Sequence, residues 1–385
     1  MNLLRKILFT TLLLVFADVL GLYFSGNMHL LKAIKNTYLV GKTGPTIDDY
    51  HKFINRTVEA NQPKPLSSYT EPPEVYLTPE EENLFKKWET SAFVILKDGK
   101  MLFEKYWDNY SDESLTNSFS MAKSFTCLCI GAAIKEGKVK STNQLISSFL
   151  PEYKGSGIRI KHLLQMSSGI DFGESYGDPF GFMAKAYYGT AVYNLTLSKK
   201  STKPPGVEWK YQGGNTLLLS FIVERATGKS LSSYFADNFW QPIGAKNDAL
   251  WTLDKKEGKE RSYCCFYSNA RDFAKIGQLI LDSGKVQGSE LIGLDYFKAS
   301  FSPVNLPDEF GDTVNHYGYQ WWLSNYNGTS FRYARGILGQ YIVIVPEWRV
   351  VFVRLGKKRD PTRNAVIPSD LLEYFQIVER MNSLI

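Results

Sequence analysis

Two apolar, β-prone stretches lie far apart in this chain, and they constrain its fold more than any other feature. The first, AFVILKDGKMLFEKYW at residues 92–107, contains Asp98-Gly99, a pair typical of a tight hairpin turn. The second, QYIVIVPEWRVVFVRLG at residues 340–356, is interrupted by Pro346-Glu347. Between these two predicted hairpins, apolar residues recur with helical rather than strand spacing.

Strands at both ends and helices between them indicate an α+β fold. The clearest helical patterns cover residues 121–136, 214–227 and 270–283, and each is followed by a glycine. A further amphipathic pattern covers residues 369–383. The economical arrangement is an antiparallel sheet made from both chain ends, backed by the terminal helix, with a mainly helical subdomain inserted.

The amino terminus carries a membrane or export signal. Arg5 and Lys6 precede the apolar run ILFTTLLLVFADVLGLYF at residues 7–24, which is close to the ~20 residues that span a bilayer. We favour an uncleaved signal anchor; the alternative is a signal peptide cut after Ala17. Both interpretations place the rest of the chain on the non-cytoplasmic side, because the basic end stays inside.

The residues after this segment predict a connector. Residues 27–90 contain six of the chain's 16 prolines among many polar residues, a composition typical of extended segments. The sequence therefore predicts three parts: an anchor or signal peptide at 1–26, an extended connector at 27–90, and one folded domain at 91–385.

Charge and cysteine content argue against several classes of protein. The net charge of +6 is spread along the chain without a long Lys/Arg run, which argues against nucleic-acid binding. The four cysteines are too few to staple 385 residues, and adjacent Cys264 and Cys265 have poor geometry for a mutual bridge. We expect buried free thiols, and the scattered histidines predict no metal site.

Ser120-Met121-Ala122-Lys123 stands at the start of the predicted 121–136 helix. A serine there lies at the positive end of the helix dipole, and the lysine three residues later returns to the same side. A partly desolvated lysine can act as a base on the serine. The spacing alone is weak, because Ser120 can be a helix cap and Lys123 a lysine that reaches water.

A rival nucleophile pattern is Gly173-Glu174-Ser175-Tyr176-Gly177, which fits G-x-S-x-G. That pattern needs a strand before it and a helix after it, whereas DPF follows here. It also needs a later histidine, and only His316 is available. We expect a glycine-rich loop beside the site.

Six ordered blocks make the sequence familiar. They are SFSMAKSFT, HLLQMSSGIDF, YQGGNTLLLSFIVERATGKSLSSY, CCFYSNARDFAKIGQLILDSGKVQG, YGYQWW and GILGQYIVIVPEWRVVFVRLG. Together they resemble the β-lactamase-related serine hydrolases, most closely the 6-aminohexanoate-dimer hydrolase and esterase-like branch that shares its fold with class C β-lactamases and penicillin-binding proteins. The resemblance covers about residues 90 to 380.

That resemblance implies roles for individual residues. Ser120 matches the acylated nucleophile, Lys123 its base, and Tyr211 the tyrosine that helps protonate the leaving group. The backbone N–H groups of Ser120 and of a residue near Gln340 would form the oxyanion hole.

The segment before Gln340 is implied to line the substrate, with Ile337, Gly339 and Arg335 as the candidates. Two departures from the family pattern concern the substrate. Gly213 is the third residue of the tyrosine motif, where the family usually has a polar residue. Ile337 lacks the cationic or imidazole side chain that is usual at its position.

The sequence thus predicts a serine hydrolase for a small-molecule ester or amide, working through an acyl-enzyme without cofactor or metal and held at a membrane by its N-terminal segment. The alternative from another class is a non-catalytic, penicillin-binding-like module that holds a peptide or cell-wall ligand. A lesser alternative is a true β-lactamase or D,D-peptidase.

Overall fold

Strands from both ends of the chain form one seven-stranded sheet in the computed structural model, which describes residues 3–362 and 366–385. The strands are β1 Asn55–Val58, β2 Ser67–Ser68, β3 Thr90–Lys97, β4 Lys100–Tyr106, β5 Thr116–Asn117, β6 Ala249–Thr252, β7 Phe266–Ser268, β8 Lys285–Val286, β9 Ser289–Glu290, β10 Leu306–Pro307, β11 Thr313–Val314, β12 Trp322–Tyr326, β13 Thr329–Gly336, β14 Gln340–Val345 and β15 Val350–Gly356. The order in the main sheet is β12-β13-β14-β15-β3-β4-β2. Only the short β2 pairs parallel to its neighbour.

Helices cover both faces of this sheet. They are α1 Leu3–Phe24, α2 His29–Asn36, α3 Pro79–Lys87, α4 Ala122–Lys135, α5 Ile160–Leu164, α6 Phe182–Tyr188, α7 Val192–Leu197, α8 Gly213–Thr227, α9 Leu231–Phe235, α10 Ala270–Leu281, α11 Leu294–Ser300 and α12 Ser369–Asn382. The predicted α+β fold and its two hairpins are confirmed. A second sheet of four short strands, β1-β6-β7-β5, joins β1, which precedes the main sheet in the chain, to three strands of the inserted part.

Alternating side chains of the sheet belong to two separate cores. On β3, Phe93 and Ile95 join a core that contains α3 and α12, whereas Val94 and Leu96 join the core of α4, α8 and α10. Successive side chains on a strand point to opposite faces, so a strand covered on both sides is apolar throughout. This explains why the sequence of β3 shows no polar alternation.

Helix α10 packs closely on the sheet because it carries a glycine there. A Cβ on Gly277 would lie 2.3 Å from Cγ1 of Val351 and 3.0 Å from Cγ2 of Ile342. No side chain fits in that space without displacing the helix. The glycine therefore sets the distance between α10 and the centre of the sheet.

The structure corrects the expected extended connector at residues 27–90. Within these residues, β1 pairs with β6, and His29 of α2 makes a hydrogen bond of 2.8 Å with the carbonyl oxygen of Pro179. Pro79 is the first residue of α3, where it favours the helix, and Thr78 caps it. The prolines at positions 63, 65, 72 and 73 lie in irregular, mostly exposed segments, so residues 27–90 are extended in part and packed in part.

The cysteines are also partly corrected. Cys127 and Cys129 are buried free thiols as expected, but Cys264 and Cys265 form a disulfide with each other. Adjacent residues lie closer than the usual partners of a bridge, with Cα atoms 3.8 Å apart. The backbone accommodates this by turning at Cys265 to a φ of 65°.

Helix α1 has the length and apolarity of a membrane span. It covers 22 residues with a mean hydropathy of 2.2 over its most apolar window, and none of that window is buried in the protein. Among the described residues it is the only helix with these properties. A signal sequence has the same properties, so this observation fits both interpretations of the amino terminus.

Replacement of Gly277 by alanine should destabilise the fold. Although alanine is the better helix former, overpacking against Val351 should cost about 1–3 kcal/mol and lower the Tm of the full-length protein. Gly177→Ala is the control, because that exposed position has open space around it and lies outside helices and strands, so the Tm should stay unchanged. Equal melting temperatures for both variants would contradict the close packing of α10.

Candidate active site

Ser120 lies in a tight turn immediately before α4. The 3₁₀ turn Phe119–Met121 leads into the helix, and Phe119 has a positive φ of 44°. The side-chain oxygen of Asn117 accepts a hydrogen bond of 2.9 Å from the backbone N–H of Phe119. A non-glycine residue in this conformation is strained and persists only where its surroundings hold it, and such positions cluster at functional sites.

Lys123 is buried, and its side-chain nitrogen is held against Ser120. Only 1% of Lys123 is exposed, and its Nζ lies 3.0 Å from Oγ of Ser120 and 2.9 Å from the carbonyl oxygen of Tyr263. The ring centroid of Tyr211 is 5.0 Å from the same nitrogen. Lys123 therefore does not reach water, and two hydrogen bonds and an aromatic ring offset the cost of burying it.

Tyr211 stands at the edge of an aromatic cluster. Its ring centroid lies 5.5 Å from that of Trp322 and 6.0 Å from that of Tyr317. The guanidinium of Arg335 stacks on Trp322, with its Cζ 3.8 Å from the Trp322 ring centroid. Three of the predicted site residues, Lys123, Tyr211 and Arg335, are thus linked through this cluster.

Gly213, the departure from the usual tyrosine motif, has a packing reason. A Cβ at this position would lie 3.1 Å from side-chain atoms of Tyr263, the residue whose carbonyl holds Lys123. The backbone N–H of Gly213 also donates to the carboxylate of Glu174. A polar side chain at position 213 would therefore displace groups that support the lysine.

The turn between β13 and β14 places the side chains of Ile337 and Gln340 in different surroundings. Gln340 is fully buried, and its side-chain amide donates to the carbonyl oxygens of Ile337 and Gly356 at 3.1 and 2.7 Å. Ile337, not Gln340, lines the cavity beside Ser120. A Cβ on Gly336 would lie 2.3 Å from the carbonyl oxygen of Ser118, so this backbone approaches the serine turn closely.

The other two residues of that segment do not line this cavity. The carbonyl oxygen of Gly339 accepts a hydrogen bond of 2.8 Å from the guanidinium of Arg354. The side chain of Arg335 is directed to the aromatic cluster. Of the three predicted lining residues, only Ile337 contacts the cavity.

Ser175 lies in an irregular, exposed loop rather than on a strand-to-helix turn. In the same loop, Glu174 accepts hydrogen bonds from Gly213 and, at 2.9 Å, from the hydroxyl of Tyr176, and burial raises the pKa of Glu174. His316 stacks on Trp322, and burial lowers its pKa. The context that a nucleophile elbow needs is therefore missing around Ser175.

A cavity of about 360 Å³ opens beside Ser120. Its walls come from α2 and the turn after it, from the loop before α6, from α6 itself and from the Tyr263-Cys264 turn. The lining residues are Leu30, Ala33, Thr37, Tyr38, Thr43, Gly44, Pro45, Phe119, Ser120, Tyr176, Gly177, Asp178, Pro179, Met183, Ala184, Tyr187, Tyr188, Tyr263, Cys264 and Ile337.

The sequence analysis missed the contribution of residues 30–45 and of Tyr263 to this site. The first were assigned to a connector, and Tyr263 acts through its main-chain carbonyl, which leaves no sequence signal. Within residues 3–362 and 366–385, no group of three or more His, Cys, Asp or Glu side chains is arranged to hold a metal ion.

Comparisons with known proteins converge on one family. The family model named Beta-lactamase matches residues 83–373. The 6-aminohexanoate-dimer hydrolase of Paenarthrobacter ureafaciens is 27% identical over 303 residues, which are 74% of this chain and 76% of the relative.

Solved structures share the fold. A Bacillus anthracis protein provisionally assigned as a 6-aminohexanoate-dimer hydrolase has a TM-score of 0.72 at 20% identity, covering 87% of this chain and 91% of its own. A family VIII carboxylesterase has a TM-score of 0.63 at 16% identity, covering 80% and 99%.

Ser120→Ala should abolish covalent labelling of the full-length protein by a fluorophosphonate, because among the described serines only Ser120 has a lysine amine within hydrogen-bonding distance. Ser175→Ala is the matched control and should label like the parent. Mass spectrometry of the adduct locates the modified serine. An adduct on Ser175, or labelling that survives Ser120→Ala, would contradict the assignment.

Proposed function

The chain belongs to the beta-lactamase family, and we propose that it is a serine hydrolase that cleaves an ester or amide bond through an acyl-enzyme on Ser120. The observation that carries this proposal is the 3.0 Å contact between Nζ of buried Lys123 and Oγ of Ser120. Hydrolases among the relatives, including the 6-aminohexanoate-dimer hydrolase, support a hydrolytic reaction.

In the first step, unprotonated Lys123 takes the hydroxyl proton of Ser120 as Oγ attacks the substrate carbonyl. A positioned base of this kind contributes about 10²–10⁴ in rate. The carbonyl of Tyr263 fixes the lysine amine from its other side, so the amine stays within reach of the serine during the reaction. Burial keeps water from competing for the same contacts.

The negative charge that develops on the carbonyl oxygen needs two donors. We propose the backbone N–H of Ser120 and, in place of the Gln340 expected from the sequence, that of Ile337. Ile337 lines the cavity with Ser120, whereas Gln340 is buried and bound to Gly356. The close approach of Gly336 to the serine turn supports this choice.

Tyr211 would pass a proton to the leaving group. Its ring lies next to the Lys123 amine, and its aromatic neighbours restrict its movement. The bond between the carbonyl carbon and the leaving oxygen or nitrogen then breaks, and the acyl group stays on Ser120. A water molecule, deprotonated by the same groups, releases the acid and restores the serine. No metal or cofactor takes part in this scheme.

We further propose that α1 stays attached as a membrane anchor over about residues 1–26, with the hydrolase domain at 91–385 on the non-cytoplasmic side. Arg5 and Lys6 precede the apolar run, and this charge bias orients such helices with the basic end inside. Residues 27–90 then lie between the anchor and the domain and pack on the latter.

The enzyme should hydrolyse a chromogenic short-chain ester with a higher kcat/KM than a chromogenic cephalosporin. Ile337 and Leu338 occupy the turn between β13 and β14, where the family pattern usually has a residue that can bind the β-lactam carboxylate. A charge-assisted hydrogen bond contributes roughly 1.5–3 kcal/mol, so its loss weakens recognition by about 10- to 150-fold.

Both substrates should be measured on one preparation of the parent enzyme and on one of the Arg335→Met variant. Arg335 is the nearest alternative cation on β13, and it is stacked on Trp322. Equal kcat/KM values, or a higher value for the cephalosporin, would contradict the prediction. If Arg335→Met then lowers the kcat/KM for the cephalosporin, Arg335 supplies the missing charge.

A further inference from the structure

Two helices and the turn after β13 contribute apolar side chains to the cavity beside Ser120. Leu30 and Ala33 line it from α2, Met183 and Ala184 line it from α6, and Ile337 closes the end near the serine turn. At about 360 Å³ it falls within the size range of small-molecule sites. An apolar cavity of this kind favours the apolar part of a ligand, because polar groups that enter it lose their hydration.

The position of Tyr211 indicates which part of the substrate enters this cavity. The group that leaves the acyl-enzyme must lie near Tyr211, and Tyr211 does not line the cavity. Its neighbours are Trp322 and the stacked guanidinium of Arg335. The acyl part of the substrate therefore extends to the other side of Ser120, into the apolar cavity.

The turn after α2 contributes Tyr38 to the cavity lining and carries exposed apolar residues. In the turn after α2, Tyr38, Leu39 and Val40 are 68%, 74% and 51% exposed. Exposed Lys35 and Lys42 flank them. Contiguous exposed apolar side chains mark a contact surface, and neighbouring lysines add attraction to an anionic lipid surface.

A short connection between α1 and α2 holds this turn close to the membrane. Helix α1 ends at Phe24 and α2 begins at His29, so four residues separate the two. Four residues span at most about 14 Å when fully extended. With α1 in the bilayer, α2 and the wall that it contributes to the cavity must lie near the membrane surface.

We infer that the substrate is a membrane amphiphile whose acyl chain fills this cavity while Ser120 attacks its ester or amide carbonyl. This inference rests on the proposed function. Ser120 Oγ bonds to the acyl carbon, the bond to the head group breaks, and the head group leaves with the proton that Tyr211 passes on. Water then releases the free fatty acid.

The chain-length dependence of full-length protein in detergent tests the cavity. From the 4-nitrophenyl butyrate to the octanoate, kcat/KM should rise at least tenfold, because each buried methylene contributes about three- to fourfold. Ala184→Trp fills the cavity and should lower the octanoate-to-butyrate ratio about tenfold or more. Ala191→Trp, an exposed alanine outside the lining, should leave the ratio unchanged.

A vesicle assay tests the membrane source. Full-length protein in vesicles of phosphatidylglycerol and phosphatidylcholine should cleave an embedded palmitoyl ester of 4-methylumbelliferone. Leu39→Asp should slow this reaction severalfold more than it slows butyrate hydrolysis in solution. Leu384→Asp changes an exposed leucine at the far end of the chain and should slow neither.

Each failure has a separate meaning. If Ser120 is labelled but kcat/KM does not rise with chain length, the acyl-chain inference is overturned and the proposed hydrolase stands. If Leu39→Asp leaves the vesicle reaction unchanged, the membrane source is overturned. If no ester is cleaved and Ser120 is not labelled, the proposed function itself is overturned.

Discussion

The burial of the Lys123 amine is the constraint on which the site depends. A polar group buried in this position without partners would be costly, and the protein offsets that cost with Oγ of Ser120, the carbonyl of Tyr263 and the ring of Tyr211. Each partner comes from a different part of the chain. The lysine therefore holds together the serine turn, the Tyr263-Cys264 turn and the start of α8.

The surrounding elements follow from that requirement. Gly213 leaves room for Tyr263, and Gly336 allows the β13–β14 turn to approach the serine turn. Behind them, Gly277 lets α10 lie close against the sheet that carries β13 and β14. Small residues at these contacts let the backbone itself form the site, which is what an oxyanion hole made of N–H groups requires.

Local sequence patterns predicted much of this structure. The pair Asp98-Gly99 indicated the first hairpin because both residues adopt positive φ there, with values of 52° and 75°. The helix after Ser120 and the lysine one turn later were also readable, since both depend on neighbours a few residues apart. Periodicity therefore predicted the α+β fold, whereas the assignment of the Ser120–Lys123 pair also needed the family resemblance of six ordered blocks.

Long-range contacts explain what the sequence did not predict. Prolines at residues 27–90 suggested a free connector, but β1 finds its partner in β6 almost two hundred residues later. Similarly, the cavity joins α2 to α6, and no local pattern couples those helices. Gln340 was chosen from its place in a motif, and no local pattern shows that Ile337 shares a cavity with Ser120.

The rate of inactivation by a fluorophosphonate in Lys123→Met tests the account most directly, because it measures the reactivity of Ser120 without any assumption about the substrate. Methionine fills the same space without an amine, and the Tm of the variant reports whether the fold is kept. We predict a second-order rate constant about 10²–10⁴ lower than that of the parent, while Lys161→Met, a change in a separate helix, keeps the parent rate. A folded Lys123→Met protein that reacts at the parent rate would contradict the claim that Lys123 activates Ser120.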